Sequence, residues 1–285
     1  MLQARDEIRA AQKSPNARLR GQAIEALTLG VGPSAAADVM PALKDPDAPV
    51  RFAALVALGQ LRARQARPSV LGMLDDPSAH VQAAARFALH KFGDTSRSQE
   101  LAALSRSAVP GVRANVAMLL GLLEEPSAVK VLRPMQADEN AQVRLQVAEA
   151  LWRLDNQDGL ASLVQFSISQ YVDDQIFALL AMAAPRRQSV RSLLEGKLNT
   201  EVVEVNLAAA RGLGMLGSDR GYQVARDALS SREARQRLMA AMALGAIGRS
   251  DAQPALAKLL SDDSPQVRLG AAAALLMIAR ANGAN

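Results

Sequence analysis

Residues 50–61 read Val50-Arg51-Phe52-Ala53-Ala54-Leu55-Val56-Ala57-Leu58-Gly59-Gln60-Leu61, and the position of Arg51 recurs every 31 residues. Arg20, Arg51, Gln82, Arg113, Arg144, Gln175, Asn206, Arg237 and Arg268 form one column, with no insertion or deletion across the nine units. Three residues later stand Ala23, Ala54, Ala85, Val116, Val147, Ala178, Ala209, Ala240 and Ala271. Seven later stand Leu27, Leu58, Leu89, Leu120, Leu151, Met182, Leu213, Leu244 and Leu275. Six before it stand Ser14, Asp45, Asp76, Ser107, Asp138, Ser169, Thr200, Ser231 and Asp262. Those last are all residue types that cap helices or open turns. A fixed period of this length marks a repeat architecture.

Each unit contains two helical patterns. The second runs from about one residue before the Arg column to about ten after it, with apolar positions at i, i+3, i+4 and i+7. The first occupies roughly positions −16 to −8. Its core position, at −12, holds Ile8, Val39, Val70, Leu101, Leu132, Leu163, Leu194, Ala225 and Leu256. Turns such as Lys44-Asp45-Pro46-Asp47-Ala48-Pro49 separate the two, and proline ends one helix and pre-sets the next. A lone αα-hairpin cannot bury both faces, so neighbours must stack. The expected fold is all-α, a single α-solenoid of nine stacked hairpins over residues 1–285, irregular around 157–206. In that stretch Tyr171-Val172-Asp173-Asp174 replaces the usual turn and Pro185 sits at an apolar position. At ~8–10 Å per layer, eight steps give a curved rod on the order of 70–80 Å long, second helices concave and first helices convex.

The composition agrees with an all-helical chain. Aromatic residues are 3% of 285 and hydrophobic residues 49%, with Ala and Leu dominant, which suits closely packed helices rather than strands. The net charge of +5 comes from 33 Lys and Arg against 28 Asp and Glu, too small an excess to specify nucleic acid. The absence of cysteine excludes disulfides, Cys-ligated zinc and thiol chemistry. No apolar run approaches about 18–20 residues, so no membrane span is expected. Met1 leads into Gln3-Ala4-Arg5-Asp6-Glu7, which does not read as a signal peptide.

The segments DPDAPVRFAALVALGQL (45–61), DENAQVRLQVAEALWRL (138–154) and DDSPQVRLGAAAALLMIA (262–279) resemble short HEAT repeats of the type called PBS-lyase-like. The resemblance covers essentially the whole chain. It implies a structural ladder in which the turn Asp and the helix-start Arg hydrogen-bond along the array. Here that ladder would use Arg20, Arg51, Arg113, Arg144, Arg237 and Arg268 with Asp45, Asp76, Asp138 and Asp262, interrupted at Gln82, Gln175 and Asn206. The family includes scaffolds and bilin lyases, so a bilin-lyase-like enzyme is one alternative that the resemblance raises.

Catalytic constellations are nearly absent. His80 and His90 both fall in the third unit, with no Cys and no HExxH pattern, and His90 replaces a Gly found in that column elsewhere; both read as structural. Gly212-Leu213-Gly214-Met215-Leu216-Gly217 lies at a helix end rather than in a phosphate loop. No metal site and no cofactor is expected. Position +5 faces away from the core, and its occupants are unusually apolar. The expected partner-binding concave face is Val56, Phe87, Met118, Leu180, Arg211 and Met242, with Trp152 three residues beyond that column. The alternative is plain packing between helices. Arg211 is the only basic member of the column, which disfavours nucleic acid there. Arg62, Arg64 and Arg67, and Arg186, Arg187 and Arg191, form Arg-rich edges that leave polyanion binding as the second alternative. The expected function is a protein- or peptide-binding scaffold, not an enzyme. The first unit, polar over Gln3–Lys13, reads as an exposed cap, whereas Leu269–Ala279 carries no charge and suggests end-to-end homodimerisation through the C-terminal helix.

Overall fold

The computed structural model describes residues 1–283. Among them there are eighteen α-helices and no strand. They pair as α1 (Leu2–Gln12) with α2 (Ala17–Gly30), α3 (Ala36–Val39) with α4 (Ala48–Gln60), and α5 (Arg67–Leu71) with α6 (Ala79–Lys91). Next come α7 (Ser98–Ala103) with α8 (Pro110–Leu123), α9 (Val129–Met135) with α10 (Ala141–Arg153), and α11 (Gln157–Phe166) with α12 (Val172–Ala183). The last three pairs are α13 (Arg191–Glu195) with α14 (Val203–Met215), α15 (Tyr222–Asp227) with α16 (Ala234–Ile247), and α17 (Gln253–Lys258) with α18 (Pro265–Ala281). Most first helices are a turn or two of α-helix flanked by 3-10 turns, while the second helices are long and regular.

One local device repeats in all nine hairpins. The side-chain oxygen at position −6 accepts the backbone N–H two residues on, at 2.9–3.3 Å, closing a tight turn. The backbone carbonyl of the same residue accepts an N–H from the helix-start side chain, at 2.7–3.0 Å. Gln82, Gln175 and Asn206 make this bond as the arginines do. The expected interruption is therefore partial, because an amide supplies the one N–H that the carbonyl needs. Arginine adds a second contact. Arg51, Arg113 and Arg237 each grip the Asp of the following turn (Asp76, Asp138 and Asp262) through Nε and one terminal nitrogen, at 2.7–2.9 Å.

The apolar columns are buried without exception. Every residue at −12, +3 and +7 is at most 6% exposed. Alanine at +3 lets helices approach closely, and glycine at +8 does so more sharply. A Cβ on Gly121 would stand 2.7 Å from Ala150 Cα, one on Gly214 2.7 Å from Ile247 N, and one on Gly245 2.8 Å from Ala274 Cα. Column +11 ends most second helices in the left-handed region, with glycine at Gly93, Gly217 and Gly248 but side chains at Arg62, Glu124, Asp155 and Arg186.

The chain divides into two compact units, Pro33–Gln165 and a second composed of Met1–Gly32 with Phe166–Asn285; the division falls within α11. In the first, α4, α6, α8 and α10 pack in sequence over a cluster that includes Phe87, Leu101, Val116, Leu119, Leu132, Val147 and Leu151. In the second, the row runs α12, α14, α16, α18 and then α2.

That last step corrects two expectations about the ends. The terminal hairpins do not stand far apart, and α18 does not present a bare apolar face. Both α1 and α2 cover it: Ala4, Ile8 and Ala11 are buried, and Gly30 abuts the Leu276 side chain. Arg268 Nε donates to Glu7 Oε1 at 3.0 Å, and Arg280 donates to the Leu29 carbonyl at 3.2 Å. The polar look of Gln3–Lys13 misled because its buried side chains lie four and three residues apart and are only Ala, Ile and Ala. With this face covered, the stated basis for end-to-end dimerisation is gone.

Two outcomes test this packing. Helix propensity alone makes Gly→Ala favourable by about 1 kcal/mol, yet Gly121→Ala should cost about 1–3 kcal/mol in urea unfolding, because its methyl group meets backbone. Hydrogen bonds from Arg113 and Arg237 hold the Asp138 and Asp262 carboxyls below the usual range; at Asp76 desolvation opposes the shift, and Arg51 with the Ser78 N–H outweighs it. A lowered folded-state value stabilises fully above the unfolded value of about 3.9 and is lost as pH falls through the lower one. Urea midpoints should therefore drop as pH falls below about 4, and Asp138→Asn with Asp262→Asn should lower the neutral-pH midpoint and flatten the acid limb.

Candidate ligand-binding cavity

Within the unit formed by Met1–Gly32 and Phe166–Asn285, the second helices turn one face toward a common cavity of about 450 Å³. All five of that unit's +5 residues line it: Glu25, Leu180, Arg211, Met242 and Ala273. Beside them run Ile176, Leu207, Leu238 and Leu269 at +1, and Gln22, Ala208, Met239 and Gly270 at +2. Arg18, Asp173, Arg235 and Gln266 at −2 lie along it as well, and Ala26 and Leu29 complete the lining. Positions −2, +1, +2 and +5 make one helical stripe. The stripe was wider than the single +5 column read from the sequence, and the apolar run at +1 was the signal that would have extended it.

The polar groups differ sharply in environment. Arg235 and Asp173 form an ion pair between largely exposed side chains, a contact of little energetic weight. Arg211 keeps part of its surface accessible, as a cavity wall must, yet protein surrounds it so closely that burial pushes its guanidinium below the ordinary value. Among the described residues nothing hydrogen-bonds or ion-pairs with it; Glu25 acts only from farther away. Gln22 Oε1 is buried and also has no hydrogen-bond partner among the described residues.

The remaining residues of the expected concave face lie in the other unit, and two are misplaced. Phe87 is 0% exposed and Trp152 1%, so neither lines an open surface. Phe87 tucks its ring against Gly59, and Trp152 occupies the +8 column, which faces a neighbouring helix wherever glycine stands there. Val56 and Met118 are half-buried and pack on the apolar cluster. His90, also at +8, is wedged with Nδ1 2.7 Å from Ser98 Oγ and Nε2 2.6 Å from Glu125 Oε1. His80 Nδ1 lies 2.8 Å from Asn115 Nδ2. None of these lines the cavity. Lys91 donates to the Leu122 carbonyl and Arg153 to Glu149, so both are engaged within the protein. On the Arg-rich edges, Arg67 pairs with Asp94 and Arg191 with Glu195. Among the described residues no group of three His, Asp or Glu is placed to hold a metal ion, and no helix is long and apolar enough to cross a membrane.

The stacked hairpins define an α-solenoid. The profile for HEAT repeats matches residues 6–90, 98–174 and 225–283, more than half of the chain, and the chain belongs to the HEAT-repeat family. No curated protein matches it. Among solved structures it is similar to the complex of CpcE and CpcF of phycocyanin lyase from Nostoc sp. PCC7120, at 22% identity over 76% of this chain and 90% of that chain, TM-score 0.49. It is similar to human deoxyhypusine hydroxylase in complex with glycerol, at 21% identity over 89% and 99% of the two chains, TM-score 0.44. It is also similar to Kap121p bound to Nup53p, at 16% identity over 97% of this chain and 37% of that one, TM-score 0.42.

An enclosed cation without a partner is destabilising. Arg211→Met, which keeps the length of the side chain and removes the charge, should stabilise the free protein by about 1 kcal/mol, read as a raised melting temperature. A fall in that temperature would show that Arg211 is already satisfied.

Proposed function

We propose that this chain is a binding scaffold that takes a peptide, or an extended segment of a partner protein, into the cavity lined by α2, α12, α14, α16 and α18. The observation that supports it is convergence: the +5 residues of five hairpins, scattered through the sequence, line one concavity. Its volume lies within the range of about 300–1,000 Å³ usual for ligand sites, and its walls combine an apolar stripe with polar and charged groups. Met239 and Met242 are flexible side chains that adapt to irregular apolar partners. The cavity's role in this reading is to hold its partner without transforming it. Nucleic acid is not that partner, since Arg235 is paired and the face presents no continuous row of cations.

Leu180→Glu with Met242→Glu should weaken capture from a displayed random-peptide library at least tenfold, with helicity and melting temperature close to wild type. Ile168→Glu, at an exposed position outside the cavity, serves as the control and should bind as wild type. Undiminished capture by the double variant would refute the assignment.

A further inference from the structure

The unsatisfied groups of the cavity describe the part of a peptide that it holds. Arg211 on α14 offers guanidinium donors and a positive charge with no ion-pair partner among the described residues. Gln22 on α2 offers a buried acceptor, Oε1, that no donor among the described residues reaches. In the row of this unit α2 stands three places from α14, and Glu25 on α2 still acts electrostatically on Arg211, so the two helices face each other across the space. One wall therefore wants an anion, and the opposite wall wants an N–H or O–H. Between them lie Leu180, Leu207, Leu238 and Met242.

We infer that the cavity recognises the C-terminal residue of a peptide, its free carboxylate on Arg211, its backbone N–H toward Gln22, and a large apolar side chain among the leucines and methionines. The inference rests on the peptide-binding reading above. A chain terminus joins the three required groups on one residue: planar carboxylate, N–H donor and apolar side chain. A fatty acid has the anion and the apolar body but no N–H for Gln22. An internal Asp or Glu puts its charge at the end of the side chain, where the apolar group should be. Planar, two-pronged donation suits Arg211 to a carboxylate better than a lysine ammonium would. The other charges on this face leave room for the anion. Arg18 is exposed, Arg235 and Asp173 neutralise each other, and Glu25, itself exposed, lies beyond ion-pair distance of Arg211.

The test uses the full chain and fluorescein-labelled hexapeptide pools, randomised at the first five positions and ending in Leu, Met, Phe, Ala or Asp. Each pool is made once as the free acid and once as the C-terminal amide, and binding is read by fluorescence anisotropy. Free acids ending in Leu, Met or Phe should bind at least tenfold tighter than their amides and tighter than acids ending in Ala or Asp. Arg211→Gln should abolish the preference for acid over amide, and Arg211→Lys should restore part of it. The acid–amide comparison on the wild-type chain needs no variant to fold. Equal binding of acids and amides, still lost in Leu180→Glu with Met242→Glu, would overturn the terminal-carboxylate inference and leave the peptide-binding reading standing. Binding of no pool would overturn both. Decanoate bound more tightly than any peptide acid would reassign the cavity to free fatty acids.

Discussion

In every hairpin, an N–H at the start of the second helix reaches back six residues to the carbonyl of the turn. That bond, with the turn's own side-chain-to-backbone bond, fixes how the chain enters each second helix and therefore its rotational phase. Phase decides everything downstream. With a common phase, +3 and +7 point inward in all nine helices, the glycines at +8 face a neighbouring helix, and +5 shares one helical stripe with −2, +1 and +2. Arginine, glutamine and asparagine serve alike because the requirement is one N–H at the right reach. The extra grip on the next turn's aspartate is made by Arg51, Arg113 and Arg237, and it ties consecutive layers as well as single hairpins.

A hairpin so phased has more apolar surface than it can cover alone, and its neighbours must supply the cover. This explains the small residues at the contacts: alanine at +3 and glycine at +8 let long helices approach until backbone meets backbone. It also explains the role of the first hairpin. The ninth has a second helix without charge from Leu269 to Ala279, which water would penalise over that stretch, and α1 and α2 remove that penalty within the same chain. Glu7 stands in for the aspartate that Arg268 would otherwise meet in a following turn.

The two units use the same column differently. In Pro33–Gln165, the ring of Phe87 folds back into the space left by Gly59, and Val56 and Met118 close onto the cluster. In the other unit the wall carries Ala26, Ala208, Gly270 and Ala273, too small to fill the concavity between the leucines and methionines, and a cavity remains. Arg211 faces that space at the cost of its hydration, without an ion pair to offset it.

The sequence by itself determined the hairpin, its 31-residue period, the turn chemistry and the buried columns, because these depend on contacts within one unit and on a phase repeated nine times. It also named Leu180, Arg211 and Met242 as facing away from the core. Trp152 and Phe87 were misread because a column defined by angle does not say how close the next helix comes, although the glycines at +8 recorded that closeness. Only the tertiary structure decided that α2 follows α18 in the row, and that Gln22 and Arg211, 189 positions apart in the sequence, line one cavity. Those facts depend on small rotations summed over several stacked hairpins. No single repeat encodes that sum.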